Sequence, residues 1–408
     1  MRTRFAPLSP TPLGWVALCL AAAAFAARAA GRGGGAMDAI SALSAGLALS
    51  GILGAFRSVA GLRLERDVSE DGERDRPLPM PLTAVNASRW RSDPSVEIVE
   101  PAPFAPGGVV RTPLPPIPGK GERGARRVVQ ATRRGVFKLE NAYLVGRDPF
   151  GLFKRAKRFH LPAEVTIYPR TERISLEEFL TRRGRRSSDG RPTDAATLGE
   201  EFFGIREYRC GDPKHLVDWK HSAKLGKLIV KEFEALGLER FAVVLDTDAR
   251  GAAADGANFE FLVDAAASLL RHLAGTYSEV VFATAASDGT PKLLSGPSGT
   301  VWARAGRILA ETNPSDAPLE RVLDAASAET LPGTALFCFS MSDGETVSER
   351  LADIADAGSE IFWTVAPKSL FGKDAENADY PSGTEGGLEP VVVSRELSAE
   401  GVSAAAFS

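Results

Sequence analysis

The most reactive side chains of this sequence are concentrated in one stretch, residues 198–236. Cys210, His215, Asp218 and His221 follow one another closely there. A cysteine thiolate beside an imidazole that a carboxylate orients is a nucleophile for acyl or group transfer. A Cys210-dependent hydrolase or transferase is therefore one hypothesis, and it requires a thiol whose reactivity near neutral pH depends on His215 or His221. Spacing along the chain does not establish that geometry, because catalytic side chains meet in space.

The same stretch carries side chains that suit a binding surface. Exposed aromatic and arginine side chains supply much of the binding energy of protein interfaces. The candidate partner-binding residues are Arg206, Glu207, Tyr208, Arg209, Asp218, Trp219 and Lys220. The alternative is a structural role, in which Trp219 is buried, the charged residues pair with one another, and Gly204 and Gly211 lie at turns.

Motifs of the common enzyme classes are absent from the sequence. It contains no Gly-x-x-x-x-Gly-Lys-Ser/Thr loop, no His-Glu-x-x-His and no Gly-x-Ser-x-Gly. Its three cysteines, Cys19, Cys210 and Cys338, are far apart and predict neither a disulfide framework nor a zinc site. The sequence therefore favours an interaction protein over an enzyme.

The region that follows the reactive stretch predicts an α/β domain. A chain of 408 residues is long enough for two or three folded units. Apolar strand patterns alternate with helical periods, which predicts a doubly wound, mostly parallel sheet. The expected strands are 241–246, 279–286, 292–295, 334–341, 360–365 and 389–394, and the expected helices are 258–274, 301–311, 319–326 and 345–357. Asp246 and Asp343 follow two of these strands, at the edge where ligands bind in such sheets.

Residues 62–170 have the pattern of a small antiparallel β-sandwich, with short β-branched runs separated by Pro and Gly. Pro-rich residues 101–118 predict an extended loop. The sequence Asp-Pro-Phe-Gly-Leu-Phe at residues 148–153 predicts a hairpin turn, because Asp-Pro followed by Gly favours a turn. We expect residues 182–197, rich in Arg, Ser and Gly, to form a mobile loop or linker.

Two apolar runs near the N-terminus, residues 13–30 and 37–56, each have the length of a transmembrane helix. The glycine-rich break between them predicts a helical hairpin, and a cleaved signal peptide is the alternative for the first run. Arg2, Arg4 and Arg57 favour a cytoplasmic location for both ends of the hairpin, whereas Arg28 and Arg32 oppose it.

Charge is distributed unevenly along the chain. Residues 1–235 contain 38 basic and 26 acidic side chains, whereas residues 236–408 contain 11 and 26. Residues 126–158 are especially basic and predict a solvated face or, as the alternative function, a surface for anionic lipid or nucleic acid. A nucleic-acid partner is the less favoured of these, because no stacking aromatic residues alternate with the charges.

Residues 199–234 closely resemble the signature of the DUF58 family, roughly G-x-E-F-x-G-I-R-E-Y, then G-D, then I-D-W-K-x-S-A-R-x-G-x-L-x-V-R-E-F-E. Here the matching segments are Gly-Ile-Arg-Glu-Tyr at 204–208, Asp-Trp-Lys at 218–220 and Lys-Glu-Phe-Glu at 231–234. The resemblance implies a bacterial membrane-anchored protein with a von Willebrand factor A-like domain after the signature. It also implies a MoxR-type AAA+ ATPase as partner. The family pattern has no requirement for cysteine at 210.

Domains of the von Willebrand A type commonly hold Mg²⁺ through Asp-x-Ser-x-Ser, a later Thr and a later Asp. The resemblance thus implies a degenerate metal site at Asp246, Asp248 and Asp343, with Thr300 as a weak candidate for the remaining ligand. Arg250 stands where the pattern has its second Ser, and its permanent charge favours a metal-free edge in which it pairs with the acids.

Together these observations predict five segments. They are a transmembrane hairpin (1–60), a β-sandwich (61–170), a polar linker (171–198), the signature segment (199–236) and a von Willebrand A-like domain (237–408). We expect a multi-pass protein of the inner (plasma) membrane with cytoplasmic soluble domains. The expected function is that of an adaptor or assembly factor that binds the ATPase or an unknown client near Asp246, Asp248 and Asp343.

Overall fold

The computed structural model describes residues 7–30, 35–67, 71–92, 96–174, 198–208, 217–235, 239–371, 388–399, 401–402 and 406, with only the backbone for 36–37, 198–206, 231–235 and 239. The chain divides into two compact units. One comprises Met1–Arg170 with Gly306–Glu311, and the other comprises Thr171–Ala305 with Thr312–Ser408. The linker expected at 182–197 lies outside the described residues.

The first unit begins with a short strand and two long helices. Strand β1 (Leu8–Pro10) precedes helix α1 (Pro12–Ala29), and helix α2 (Gly35–Ser58) follows. Thr11 caps α1, because its Oγ1 accepts a hydrogen bond from the Gly14 N–H at 3.1 Å. Both helices are long and apolar enough to cross a membrane. The two helices expected from the sequence are therefore confirmed. Only a small share of either helix is buried within the protein, so both expose apolar side chains.

Ten further strands complete the first unit. They are β2 (Leu62–Arg66), β3 (Gly72–Glu73), β4 (Pro77–Pro79), β5 (Leu82–Asn86), β6 (Glu97–Pro101), β7 (Val109–Pro113), β8 (Glu122–Ala125), β9 (Val128–Gln130), β10 (Gly135–Arg147) and β11 (Phe153–Tyr168). One sheet has the order β1-β11-β10-β6-β7, a second has the order β2-β5-β8, and β4 pairs with β9. Apolar residues of β2 and β5 share a buried cluster with those of β6 and β10, so the first two sheets pack face to face.

The β-rich texture expected for this unit is confirmed, with two corrections. Residues 135–168 form two long strands rather than short ones. The Pro-rich segment expected as a loop contains β7, which pairs antiparallel with β6 at the edge of the sheet. Pro113 is tolerated there because an edge strand does not need every N–H for pairing.

A buried cluster of charged residues lies within the β-structure. Glu100 is fully buried, and its two carboxylate oxygens accept hydrogen bonds from Arg66 and Arg127. Arg127 also donates from Nε to the Met80 carbonyl at 2.9 Å. A buried carboxylate requires such hydrogen-bonded ion pairs, because an unpaired charge in the interior costs several kcal/mol.

The turn that joins β10 to β11 packs against both long helices. Asp148 forms the turn, because its carboxylate accepts the N–H groups of Phe150 at 2.9 Å and Phe153 at 2.6 Å. The predicted hairpin turn is therefore confirmed. Thr11 donates its N–H to the Leu152 carbonyl at 2.8 Å and its hydroxyl to the Gly151 carbonyl at 2.6 Å. Leu152 and Phe153 are buried in a cluster with residues of α1 and α2, among them Ala17, Leu18, Leu47, Ala48, Ile52 and Ala55.

The second unit combines a two-stranded hairpin with an α/β sheet. Its elements are β12 (Leu198–Glu207), α3 (Trp219–Leu225), β13 (Ile229–Ala235), β14 (Glu239–Leu245), α4 (Ala257–Leu273), β15 (Ser278–Ala285), β16 (Pro291–Pro297), α5 (Ser298–Glu311), α6 (Leu319–Ser327), β17 (Ala335–Ser340), α7 (Glu345–Asp356), β18 (Glu360–Val365), β19 (Val391–Val392) and α8 (Arg395–Ala399). The main sheet has the order β16-β15-β14-β17-β18-β19, and every pair is parallel except β15 with β16.

Helices cover the main sheet. Apolar residues of α6 and α7 form one buried cluster with alternate residues of the central strands, such as Val244, Cys338 and Val365. Helix α4 contacts β14 and β17. A mixed α/β fold with a mostly parallel sheet is therefore confirmed, whereas its identification as von Willebrand A-like stays a prediction. The strand expected at 389–394 is shorter and comprises two residues.

Replacing Gly14 tests the contact between α1 and the turn. A Cβ on Gly14 would lie 2.0 Å from the Leu152 carbonyl oxygen, so Gly14→Ala must displace backbone. We expect it to lower stability by about 1–3 kcal/mol, the usual cost of overpacking. The measurement is chemical denaturation of the detergent-solubilised protein. The matched control is Gly46→Ala in α2, where a Cβ meets nothing within 4 Å, and it should be neutral or slightly stabilising. Equal effects of the two substitutions would contradict the contact.

Candidate functional site

Helix α3 lies at the centre of the segment that the sequence singles out, and local hydrogen bonds define its ends. Asp218 is the N-cap, because its Oδ1 accepts the N–H groups of Lys220 and His221, both at 3.1 Å. Its Oδ2 lies 3.0 Å from His221 Nδ1. Gly226 ends the helix in the left-handed conformation with φ 63°, which glycine adopts without strain.

A buried hydroxyl attaches α3 to the neighbouring strand. Ser222 Oγ donates to the Asp218 carbonyl at 2.7 Å and accepts the Ile229 N–H at 2.8 Å. The backbone adds a hydrogen bond from Asp218 N to the Ile229 carbonyl, also at 2.8 Å. The Tyr208 N–H donates to the Leu228 carbonyl at 2.8 Å, which joins the end of β12 to the same turn. The helix is therefore held on the β12–β13 hairpin by its backbone and one small side chain.

This attachment leaves the larger side chains of α3 and the following turn in solvent. Trp219 is 68% exposed, Leu225 58% and Leu228 47%, and Lys220 and Lys224 are exposed beside them. We call these five residues the α3 patch. The structural hypothesis in which Trp219 is buried is wrong, because Ser222 rather than the indole faces the hairpin. The patch has an aromatic residue, two leucines and two positive charges.

The other predicted partner-binding residues have different environments. Glu207 is exposed and pairs with Lys227 at 2.7 Å, and the hydrogen bond and charge of Lys227 lower the pKa of Glu207. Tyr208 is half-buried. Only the backbone of Arg206 is described, and Arg209 lies outside the described residues. Asp218 is committed to the N-cap and to His221.

Sequence reasoning missed three members of the patch, Lys224, Leu225 and Leu228. A signal for them existed in the run Lys-Leu-Gly-Lys-Leu at residues 224–228. Gly226 marks the helix end, and leucines within two residues of a helix-ending glycine lie in a turn, where burial on both sides of the chain is rare.

The Cys/His hypothesis is only partly within the described chain. Cys210 and His215 lie outside the described residues, and His221 contacts Asp218. Cys338 is fully buried in β17, and burial raises the pKa of its thiol. The environment of Cys338 is not that of an activated nucleophile, which requires an accessible thiolate. The Cys210 hypothesis stays a prediction.

At the sheet edge, Asp246 is almost fully buried at the end of β14. Its Oδ1 accepts the Asp248 N–H at 2.8 Å, and its Oδ2 accepts the Met341 N–H at 2.9 Å. Burial raises the pKa of Asp246 to about 6, although the two backbone hydrogen bonds oppose that rise. Asp246 thus joins the ends of β14 and β17 by bonding the backbone.

Arg250 pairs with Asp248 at this edge. Its Nε lies 2.9 Å from both carboxylate oxygens, and Nη2 adds a further bond to Oδ2. Burial raises the pKa of Asp248, but the hydrogen bonds and charge of Arg250 outweigh burial and hold it below its usual value. Thr300 lies in the first turn of α5, and Asp343 is half-buried in the loop after β17. Within the described ranges, no three His, Cys, Asp or Glu side chains are grouped closely enough to hold a metal ion.

The basic segment 126–158 does not form one surface. Arg127 belongs to the buried charge cluster around Glu100. Arg155 lies 3.9 Å from the centre of the Phe56 ring, and Lys157 donates to the Leu62 carbonyl at 2.8 Å. Lys154 and Arg158 alternate with these two along β11 and are exposed. The available charge is therefore limited to one face of the β10–β11 ribbon.

Substitutions at Asp218 separate its structural role from binding. Asp218→Ala removes the N-cap, and we expect it to destabilise the segment by about 0.5–2 kcal/mol. Asp218→Asn keeps a side-chain oxygen that caps well and should retain most of that stability. Hydrogen exchange of the α3 and β13 amides measures the difference. Equal loss of protection in both variants would contradict a capping role.

Asp246 should make stability depend on pH. An unfolded Asp titrates near pH 3.9, so between about pH 4 and 6 the folded state binds more protons than the unfolded state. The stabilising contribution of the protonated carboxyl is thus present below about pH 4 and is lost as pH rises through about 6. Relative to Asp246→Asn, the wild type should lose up to about 3 kcal/mol across this window. Urea denaturation at several pH values tests it, and parallel profiles would refute it.

Comparison with known proteins shows only partial likeness. No protein-family model matches the chain, and no curated protein matches it. A conserved hypothetical protein BatB from Bacteroides thetaiotaomicron is 17% identical over 40% of this chain and 94% of that chain, with a TM-score of 0.28. An aerotolerance-related membrane protein from Bacteroides fragilis is 14% identical over 38% and 81%, with a TM-score of 0.25. The CARDB domain of a Pyrococcus furiosus protein is 12% identical over 26% and 94%, with a TM-score of 0.19. These scores assign no function.

Proposed function

We propose that this protein is a membrane-anchored adaptor that binds a partner protein through the α3 patch. The observation that carries the proposal is the exposure of Trp219 on a helix that its own hydrogen bonds fix in place. A large aromatic side chain in water forgoes the stabilisation that burial provides, roughly 1.5–3 kcal/mol for a large apolar side chain. A partner that covers Trp219 recovers it without having to order the helix first.

The charges of the patch favour an acidic partner surface. Lys220 and Lys224 lie on the same short helix as the aromatic residue, and this helix, Trp-Lys-His-Ser-Ala-Lys-Leu at residues 219–225, contains no acidic side chain. Exposed charges of one sign steer association and discriminate between partners. The occupant we propose is a protein surface with an apolar pocket surrounded by carboxylates. The resemblance to DUF58 supports a MoxR-type AAA+ ATPase as that partner, with a client still to be identified.

The exposed apolar helices support membrane anchoring. Side chains such as Leu20, Phe25 and Leu43 are more than half exposed on α1 and α2. A soluble surface rarely exposes so much contiguous apolar area, whereas lipid covers it favourably. Because α1 begins and α2 ends beside the β10–β11 turn, both connect to the same side of the membrane. Arg57 and Arg63 at that end support a cytoplasmic side, in an inner-membrane, multi-pass arrangement.

The α3 patch is a better docking site than the sheet edge that the sequence suggested. Asp246 is inaccessible to a partner, because it is almost fully buried and its oxygens accept backbone N–H groups inside the fold. The carboxylate of Asp248 is occupied by Arg250. The patch combines exposure, apolar area and charge, which the edge does not. Neither site requires an enzymatic reaction, and we propose that binding itself is the activity.

Capture of partners in native membranes tests the proposal. A photoreactive residue at Lys224 should crosslink one reproducible protein, identified by mass spectrometry. Trp219→Ala should weaken its capture roughly 30-fold, as for an interface hot spot. The control is Trp90→Ala, which removes another exposed tryptophan, 77% exposed, from the first unit.

Three outcomes distinguish docking at the α3 patch, docking at the sheet edge and an enzymatic function. Loss of capture with Trp219→Ala but not Trp90→Ala supports the α3 patch. Unchanged capture with Trp219→Ala, but loss with Asp248→Ala plus Asp343→Ala, would move the docking site back to the sheet edge. Thiol labelling of Cys210 that depends on His215 or His221 would instead favour an enzyme.

A further inference from the structure

The β10–β11 turn lies deep against the two apolar helices. Phe153 packs where α2 has Gly51, since a Cβ there would lie 2.9 Å from the Phe153 ring. Pro149 lies beside Gly54 in the same way, at 3.0 Å. On α1, Gly14 admits the Leu152 carbonyl. Glycines at these three positions let the turn approach both helices closely.

Helix lengths set the depth of this contact in a membrane. With 18 residues, α1 is about 27 Å long, which is slightly less than the roughly 30 Å thickness of the hydrocarbon layer. Nearly all of α1 is needed to cross, so Gly14 in its first turn lies at the edge of the hydrocarbon. The part of α2 from its start to Gly51 is only about 24 Å long, so Gly51 lies within the same boundary region. Leu152 and Phe153 are at the level of these glycines.

The tip of the turn carries an exposed aromatic residue. Phe150 is 53% exposed although it lies between Asp148 and the helix-packed Leu152. The apolar faces of interfacial segments bury Trp, Phe and Leu side chains at the boundary between headgroups and acyl chains. An exposed phenylalanine at this level is therefore suited to contact lipid rather than water.

Basic side chains continue from the turn along one face of the ribbon. Arg147 is opposite Lys154, directly beside the turn, and Arg158 follows two pleats further on. All three are exposed, and the acid on this face is Glu97, which pairs with Arg111 at 3.2 Å and lies 4.0 Å from Arg147. Arg155 and Lys157 face the other way and are bonded to the carbonyls of Phe56 and Leu62.

We propose that the β10–β11 turn lies in the membrane–water interface, with Phe150 among the acyl chains and with Arg147, Lys154 and Arg158 bound to the headgroups of anionic phospholipids. This inference rests on the membrane anchoring in the proposed function. It narrows the basic segment 126–158 to three side chains and assigns them a lipid rather than a nucleic acid.

Spin labels measure the position of the turn. Cys19→Ala and Cys210→Ala remove native thiols, and buried Cys338 is retained. Labels at Phe150→Cys, Leu43→Cys and Trp90→Cys are then compared in phosphatidylcholine–phosphatidylglycerol vesicles. We expect labels at 43 and 150 to be accessible to oxygen and the label at 90 to be accessible to a water-soluble nickel chelate. A lipid signal at 43 with an aqueous signal at 150 would overturn this inference alone. An aqueous signal at 43 would overturn the anchoring as well, and a lipid signal at 90 would overturn the assignment of depth.

Lipid selectivity tests the charges. The wild type should associate with spin-labelled phosphatidylglycerol more than with phosphatidylcholine. Lys154→Glu with Arg158→Glu should reduce that preference at least roughly fivefold. The matched control reverses two exposed charges of the same unit, Arg123→Glu with Arg126→Glu, and should leave the preference unchanged. Equal effects, or no effect of either pair, would overturn the proposal. The proposal would also be overturned if Lys154→Glu with Arg158→Glu left the lipid preference unchanged but abolished salt-sensitive DNA binding, since that outcome assigns the charges to nucleic acid.

Discussion

The hydrogen bond from the Thr11 N–H to the Leu152 carbonyl is the contact on which the first unit depends. It joins the start of α1 to the turn of the longest β-hairpin, and the absence of a side chain at Gly14 makes the approach possible. Thr11 also caps the helix, so one residue fixes both the helix start and its position on the β-structure. The helix pair α1–α2 and the β-structure of the first unit are therefore joined into one body. A membrane helix pair connected by a flexible linker would leave the orientation of the sheet undefined, whereas this contact defines it.

The two units stabilise buried carboxylates in different ways. Glu100 forms ion pairs with two arginines, which reach it from β2 and from the segment before β9. The hydrogen bonds to the Asp246 carboxyl come from backbone N–H groups rather than from a cation, and burial favours its neutral form. The first arrangement fixes the relation of two sheets. The second joins the ends of two parallel strands and leaves Arg250 to pair with Asp248 at the surface.

Sequence reasoning predicted those parts of the fold that local patterns determine. The strand at 241–246 is recognisable because consecutive apolar residues indicate a strand buried on both faces, and the helix at 258–274 because its apolar residues recur with a helical period. The turn at 148–153 follows from Asp-Pro and Gly. Of strand β11 only the last part, residues 164–168, was expected, because Lys154, Arg155, Lys157 and Arg158 mask the alternation of the rest. Their charges are accommodated by solvent on one face and by carbonyl groups on the other.

The sequence singled out the segment of the candidate site, but it did not determine how the side chains of that segment are arranged. The sequence located the segment around Trp219, yet it did not determine whether the indole is buried, because aromatic residues are buried on average and exposure depends on which neighbour occupies the interior. Here Ser222 occupies it, since a small hydroxyl bonds two backbone groups that the indole would leave unsatisfied. The contact of the turn with α1 and α2 joins residues that are far apart in the sequence, such as Gly54 and Pro149, and no local pattern encodes it.

Strand β1 also constrains the order in which the strands of the first unit can pair. Leu8 and Pro10 pair with Arg155 and Phe153, so β1 is separated from its partner strand β11 by both apolar helices and most of the β-structure of the first unit. The helices emerge before the sheet can close. Residues 8–10 and the β-structure therefore lie at the same end of the helix pair, and β1 can pair with β11 only after both helices and the intervening strands have been synthesised.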